Sequence, residues 1–258
     1  MVARSPEGPA APELASDAAR SPRESGTAAV NPQQIELHVQ DGIDVSGLLM
    51  RPSDARICYV MAHGAGAGMH HRSIATMAAD LATRAVASLR FQFPFMEQGG
   101  RRPDPPALAH ATVRAAVAEA RRLTPDLPLI AGGRSFGGRM TSQAQALTPL
   151  PGVIGLAFVA FPLHPAKRPS VERARHLFDV DLPILFLQGT RDALAELEQL
   201  EPLVQQLGRR ATLQLIDGAD HSFHVPARSG RTDAEVRREM VDAFVAWAGV
   251  VRGPTPTP

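Results

Sequence analysis

The chain is poor in three things, and each shortage narrows what it can be. It holds one cysteine, Cys58, so no intrachain disulfide can form and an oxidising compartment gains no support. That cysteine sits inside the apolar run Ile57–Ala62, where a thiol is expected to be buried and inert. It has almost no excess of charge. With 27 basic and 26 acidic residues in 258, there is no electrostatic footprint for nucleic acid or an anionic membrane surface. It also has no apolar run long enough to cross a bilayer and no apolar core of a signal peptide at its start, so a cytoplasmic location is expected. Lysine is nearly missing too, with Lys167 the only one. The arginine bias, with abundant alanine and proline, points to a GC-rich bacterial genome.

The pattern along the chain is that of one α/β domain. Residues 1–32 are rich in Ala, Pro, Ser, Glu and Arg with few large apolar side chains, which predicts disorder. Gln34–Val39 and Asp44–Met50 alternate apolar and polar residues about Asp41-Gly42, which predicts a hairpin. Continuous apolar strands are expected at Ile57–Ala62, Ala85–Phe91, Leu127–Gly133, Gly152–Phe161, Pro183–Gly189 and Ala211–Ile216. Between them, helical spacing appears in Ile74/Met77/Ala78/Leu81, Val113/Ala116/Val117/Ala120, Arg139–Leu147 and Leu200/Leu203/Val204/Leu207. Phe93-Pro94-Phe95 reads as the start of a loop. Thr232-Asp233-Ala234-Glu235 reads as a capping box opening a last helix that presents Val236, Met240, Val241 and Phe244 inward. The domain is therefore expected over 33–251, followed by a disordered tail at 252–258. Strand–helix alternation of this kind implies a mostly parallel sheet between helical layers. The segment Pro162–Asp181 is too short for a separate lid domain.

The chemistry centres on Gly133-Arg134-Ser135-Phe136-Gly137, which fits the G-x-S-x-G strand–turn–helix that pushes a serine hydroxyl clear of the backbone. A serine hydroxyl is a weak nucleophile without a base, and that base needs a carboxylate behind it. His221 follows the last strand through Asp217-Gly218-Ala219-Asp220, and Asp192 follows Pro183–Gly189 through Thr190-Arg191. Both have the chain order Ser, acid, His. Asp217 and Asp220 lie too close before the histidine to hold its ring from behind, and Asp179 and Asp181 precede their strand. Asp192 is therefore the expected carboxylate. His63-Gly64-Ala65-Gly66-Ala67-Gly68 is neither a dinucleotide fingerprint nor a Walker loop, since no Gly-Lys-Ser/Thr follows, and suits an oxyanion loop better. No Cys/His or H-E-x-x-H cluster calls for a metal, so neither metal nor cofactor is expected.

In combination these segments resemble the α/β-hydrolase superfamily. The others that carry the likeness are Phe91–Met96, Gly132–Met140, Phe161-Pro162-Leu163-His164-Pro165 and Leu187-Gln188-Gly189-Thr190-Arg191-Asp192. They are similar to the dienelactone-hydrolase-like clan and its branch of testis-expressed protein thirty and NSL-complex regulatory subunit three-like hydrolases. The resemblance implies an α/β-hydrolase fold with little or no lid. It also implies a Ser135–Asp192–His221 triad, and an oxyanion hole made by the backbone amides of Ala65 and Phe136. True dienelactone hydrolases carry a cysteine nucleophile where this chain has Ser135, so lactone hydrolysis does not follow. The expected activity is serine-dependent cleavage of a carboxylic ester or related acyl bond in a small-molecule substrate. A non-catalytic interaction domain, an acyltransferase or a peptidase are the alternatives. Arg134, His164, Lys167 and Arg168 are the candidate contacts for an anionic group on that substrate.

Overall fold

The computed structural model describes Met1, residues 30–40 and residues 42–253. The disorder expected for 1–32 falls almost wholly on residues outside the described ones. So do Asp41 of the hairpin turn and residues 254–258 of the tail.

Strands β1 (Gln33–Gln40) and β2 (Ile43–Met50) form the expected antiparallel hairpin. Then follow β3 (Ile57–Ala62), α1 (Arg72–Ala82), β4 (Val86–Phe91), a short helix α2 (Pro94–Glu97) and α3 (Pro106–Leu123). The chain continues through β5 (Leu129–Arg134), α4 (Phe136–Leu147), β6 (Val153–Val159), β7 (Ile184–Gly189), α5 (Leu197–Leu207), β8 (Ala211–Ile216) and α6 (Asp233–Arg252). Two sequence expectations shift. Pro94 starts a helical turn rather than a loop, because proline's fixed φ suits the first helical position and its missing N–H costs nothing there. Helix α4 begins directly at Phe136, three residues before the apolar spacing becomes visible. The region Glu172–Asp179, without an expected element, winds as 3₁₀ turns.

The eight strands form one sheet in the order β1-β2-β4-β3-β5-β6-β7-β8, with β2 antiparallel to both neighbours and every other pair from β4 to β8 parallel. Parallel strands need crossovers, and the helices that make them cover both faces. The period-two alternation of a strand sorts the side chains between two cores. In β3, Ile57, Tyr59 and Met61 pack under α1 and α6 with Ile74, Met77, Val236 and Met240, while Cys58, Val60 and Ala62 pack on the α3–α4 side. Within β3 the Tyr59 hydroxyl is carried into this core, and it donates to the carbonyl of Ala157 at 2.9 Å. The last helix carries the full capping box: Thr232 Oγ1 accepts from the Glu235 amide, and the Glu235 carboxylate accepts from the Thr232 amide.

Candidate active site

The carboxyl ends of β3, β5, β7 and β8 lead into the four segments that meet at one edge of the sheet. The first is the turn from β5 to α4. Ser135 stands there with φ +49° and ψ −114°, a backbone state that costs an L-residue energy and is kept only where its surroundings impose it. Two glycines make the turn possible. A Cβ on Gly133, whose φ is +134°, would lie 2.1 Å from the Ala62 carbonyl oxygen, and one on Gly137 would lie 2.5 Å from the His63 carbonyl oxygen. Ser135 occupies the N-cap position of α4 but makes no side-chain cap bond. A serine at that position ordinarily spends its hydroxyl on a free amide of the first turn. Here the strained turn aims it elsewhere.

That hydroxyl lies 3.0 Å from Nε2 of His221, and Nδ1 of the same ring lies 2.7 Å from Oδ2 of Asp192. The three residues are brought together from positions 57 and 29 apart in the chain. Asp192 is buried, and each of its oxygens is engaged. Oδ2 accepts from His221 and from Gln188 Nε2 at 2.6 Å, and Oδ1 accepts the Leu194 amide at 2.8 Å. Since the carboxylate only accepts, His221 must carry its proton on Nδ1, leaving Nε2 bare toward Ser135. The loops carrying the acid and the histidine are laced together. Thr190 and Arg191 amides donate to the carbonyls of Ile216 and Ala219, and Thr190 Oγ1 accepts from the Gly218 amide.

Gln188 escaped the sequence reading. It lies at the inner end of β7, fully buried, with its Oε1 accepting the Phe161 amide at 2.9 Å while its Nε2 holds Asp192. The Phe161 bond fixes which end of the amide faces the carboxylate. A glutamine in an otherwise apolar strand, four residues before the expected acid, was the available signal.

The glycine loop after β3 passes beside the serine: a Cβ on Gly64 would lie 3.8 Å from Ser135 Cβ. His63 sets its course, with Nδ1 bonded to the Gly64 carbonyl at 2.7 Å and Nε2 accepting the Phe93 amide at 3.0 Å. Burial pushes this imidazole down to about 4, so it stays neutral and serves as a splint. Among the described residues, the Ala65 and Phe136 amides donate to no protein acceptor. The Phe136 amide also opens α4, where the helix dipole favours negative charge.

The four residues expected to touch an anion have different placements. Arg134 donates from Nη2 to the His221 carbonyl at 3.0 Å and reaches Ser73 Oγ at 3.4 Å. Lys167 and Arg168 are exposed, and no carboxylate among the described residues lies within ion-pair distance of either. His164 departs from expectation. Its side chain is buried, with Nε2 2.5 Å from Glu196 and Nδ1 bonded to the Pro165 carbonyl, so its ring is turned into the protein rather than toward solvent. The reason is the docking of its loop, whose Leu163 and His164 amides both donate to the Leu194 carbonyl beside Asp192. Among the described residues, no group of three or more His, Cys, Asp or Glu side chains is arranged to hold a metal.

A mostly parallel eight-stranded sheet in this order, with a serine on the β5–α4 turn and no lid among the described residues, is the α/β-hydrolase fold. Residues 55–249 match the family described as "Alpha/beta hydrolase domain", and the chain belongs to that family. Solved structures share the fold at low identity. A dienelactone hydrolase from Anabaena variabilis is 20% identical over 84% of this chain and 98% of its own, with a TM-score of 0.68. A lidless α/β serine hydrolase from Xanthomonas campestris is 19% identical over 84% and 94%, at 0.64. Est1E from Butyrivibrio proteoclasticus is 16% identical over 82% and 98%, at 0.60.

Proposed function

We propose that the chain is a serine hydrolase that cleaves a carboxylic ester or related acyl bond through a covalent acyl-enzyme. The observation that carries this is the aligned array: a hydroxyl on a strained turn, 3.0 Å from an imidazole that is itself 2.7 Å from a buried carboxylate. In the proposed reaction, His221 Nε2 takes the Ser135 proton as Oγ attacks the carbonyl carbon. Asp192 stabilises the imidazolium and keeps its Nδ1–H in place. The Ala65 and Phe136 amides receive the oxyanion, whose charge they meet without reorganising. His221 then protonates the leaving alcohol. A water, deprotonated by the same nitrogen, attacks the acyl-enzyme and releases the acid.

The short segment between β6 and β7 supports a preference for small acyl groups over long lipid chains, since nothing there could close over an extended chain. The motif set that resembles the testis-expressed protein thirty and NSL-subunit-like branch is the basis for placing the chain within that part of the family. One buried cysteine fits a reducing, cytoplasmic setting. The test is labelling with a fluorophosphonate and mass mapping of the adduct. Label on Ser135, abolished together with p-nitrophenyl acetate turnover in Ser135→Ala, is the expected result. Label on another serine, or turnover near that of the unaltered protein, refutes it.

A further inference from the structure

A cavity of about 480 Å³ lies between the N-terminal halves of α1 and α6, beneath the loop that carries His221. Neither Ser135 nor His221 lines it. Its volume falls within the roughly 300–1,000 Å³ that small-molecule sites occupy. Met61, Ile74, Met77, Val159, Phe223 and Met240 supply an apolar floor, half of it the adaptable thioether side chain of methionine. The wall toward the elbow is Arg134. Its guanidinium has five donors; one goes to the His221 carbonyl and one reaches, at 3.4 Å, for Ser73. Among the described residues no carboxylate pairs with it. The charges of Asp192 and Asp220 act on it without an ion pair, and both carboxylates are committed, Asp192 as described and Asp220 to the Ser222 and His224 amides.

The rim elsewhere is mixed. Arg237 is already bound to Asp80, Asp233 is a rim carboxylate whose His224 partner balances its charge only when protonated, and Arg72 has no carboxylate partner among the described residues. Burial lowers the Arg134 pKa by more than the charges of Asp192 and Asp220 raise it, the mark of a cation whose desolvation is only partly offset. An apolar floor that ends against an unpaired, largely buried guanidinium is complementary to one kind of molecule: a chain of methylenes ending in a planar anion.

We propose that this cavity is a second binding site, separate from the Ser135 centre, for a short-chain aliphatic carboxylate. The carboxylate takes a free edge of the Arg134 guanidinium and the chain lies on the methionine floor. Binding here does not depend on the chain being a hydrolase, so the test reads binding alone.

The full chain, with its methionine methyl groups labelled with ¹³C, is titrated with acetate, butyrate, hexanoate and hexan-1-ol. Three of the eight methionines, Met61, Met77 and Met240, line the cavity. Their methyl signals shift with hexanoate, while those of Met50, Met96 and Met140 hold. Affinity rises by about fourfold per added methylene. Hexan-1-ol binds at least about tenfold more weakly than hexanoate, the loss expected when a charge-assisted bond becomes a neutral one. Met77→Trp, which fills the floor, abolishes binding, and Arg134→Met erases the preference for acid over alcohol. Three results overturn the proposal: no shift at saturating hexanoate, shifts confined to methionines outside the cavity, or equal affinity for acid and alcohol. The methyl map of the unaltered protein decides the matter even where Arg134→Met fails to fold.

Discussion

Asp192→Asn tests the proposed roles most severely, because the replacement cannot satisfy the three donors that converge on it. Oδ2 faces both His221 Nδ1–H and Gln188 Nε2–H, and Oδ1 faces the Leu194 amide. Asparagine has one acceptor oxygen and one NH₂. If the oxygen keeps Leu194, the NH₂ meets two donors. Gln188 cannot turn over to help, since its other end must still accept the Phe161 amide. His221 must then move its proton to Nε2, where it faces Ser135 and can no longer take the serine proton. If instead the oxygen keeps His221, the NH₂ is driven against the part-buried Leu194 amide. The first arrangement costs activity, on the order of 10⁴ in kcat when the wrong tautomer is held. The second costs about 1–3 kcal/mol of stability for an unsatisfied buried donor. Asp220→Asn is the matched control: Asp220 Oδ1 alone accepts the Ser222 and His224 amides, and an asparagine oxygen can do the same. Steady-state kinetics on p-nitrophenyl acetate, with urea unfolding of each variant, separates the two costs. The reasoning fails if Asp192→Asn keeps kcat within tenfold of the unaltered protein with stability unchanged, or if Asp220→Asn is the more damaging.

Three further outcomes follow from buried groups. Gln188→Leu leaves the Phe161 amide without its acceptor and Asp192 without one donor, so the melting temperature should fall by about 2–12 °C for a domain of this size, with kcat reduced more than KM is raised; unchanged melting and kinetics would remove Gln188 from the array. Cys58 is fully buried and its thiol is pushed up to about 12, so a thiol reagent at pH 8 should leave the native chain unmodified and react fully only in denaturant. His63 is held down to about 4 against 6.5 in the unfolded chain, so the unfolded state takes up the proton first as pH falls. The stability present above pH 6.5 is lost progressively toward pH 4, by about 3 kcal/mol from this group. Its imidazole resonances should not titrate between pH 8 and 5; a midpoint near 6.5 would contradict the splint role.

How much of this was legible in the sequence depends on what kind of partner each residue has. Where the partner is a layer, the pattern suffices. Ile57–Ala62 had to be a strand buried on both faces, and Val236, Met240, Val241 and Phe244 had to face inward, because period and polarity alone decide burial. Where the partner is another side chain reached through a known order of strands, spacing came close: Asp192 and His221 were each found by their position after a strand, and the structure sets them 2.7 Å apart. Where the partner is a backbone carbonyl or amide, the sequence is silent, since every residue offers the same groups. His164 read as a candidate contact for an anionic group on the substrate, on the loop it shares with Lys167 and Arg168. What buries it is the Leu194 carbonyl, which accepts from two successive amides of its loop. Arg134 read as a contact for substrate, yet its best bond is to the carbonyl of His221. That bond ties the proposed base to the residue just before the proposed nucleophile. Strain at Ser135 and placement of His221 are therefore linked through one peptide unit of β5, and a change that unseats Arg134 should disturb the 3.0 Å Ser135–His221 contact without touching either side chain.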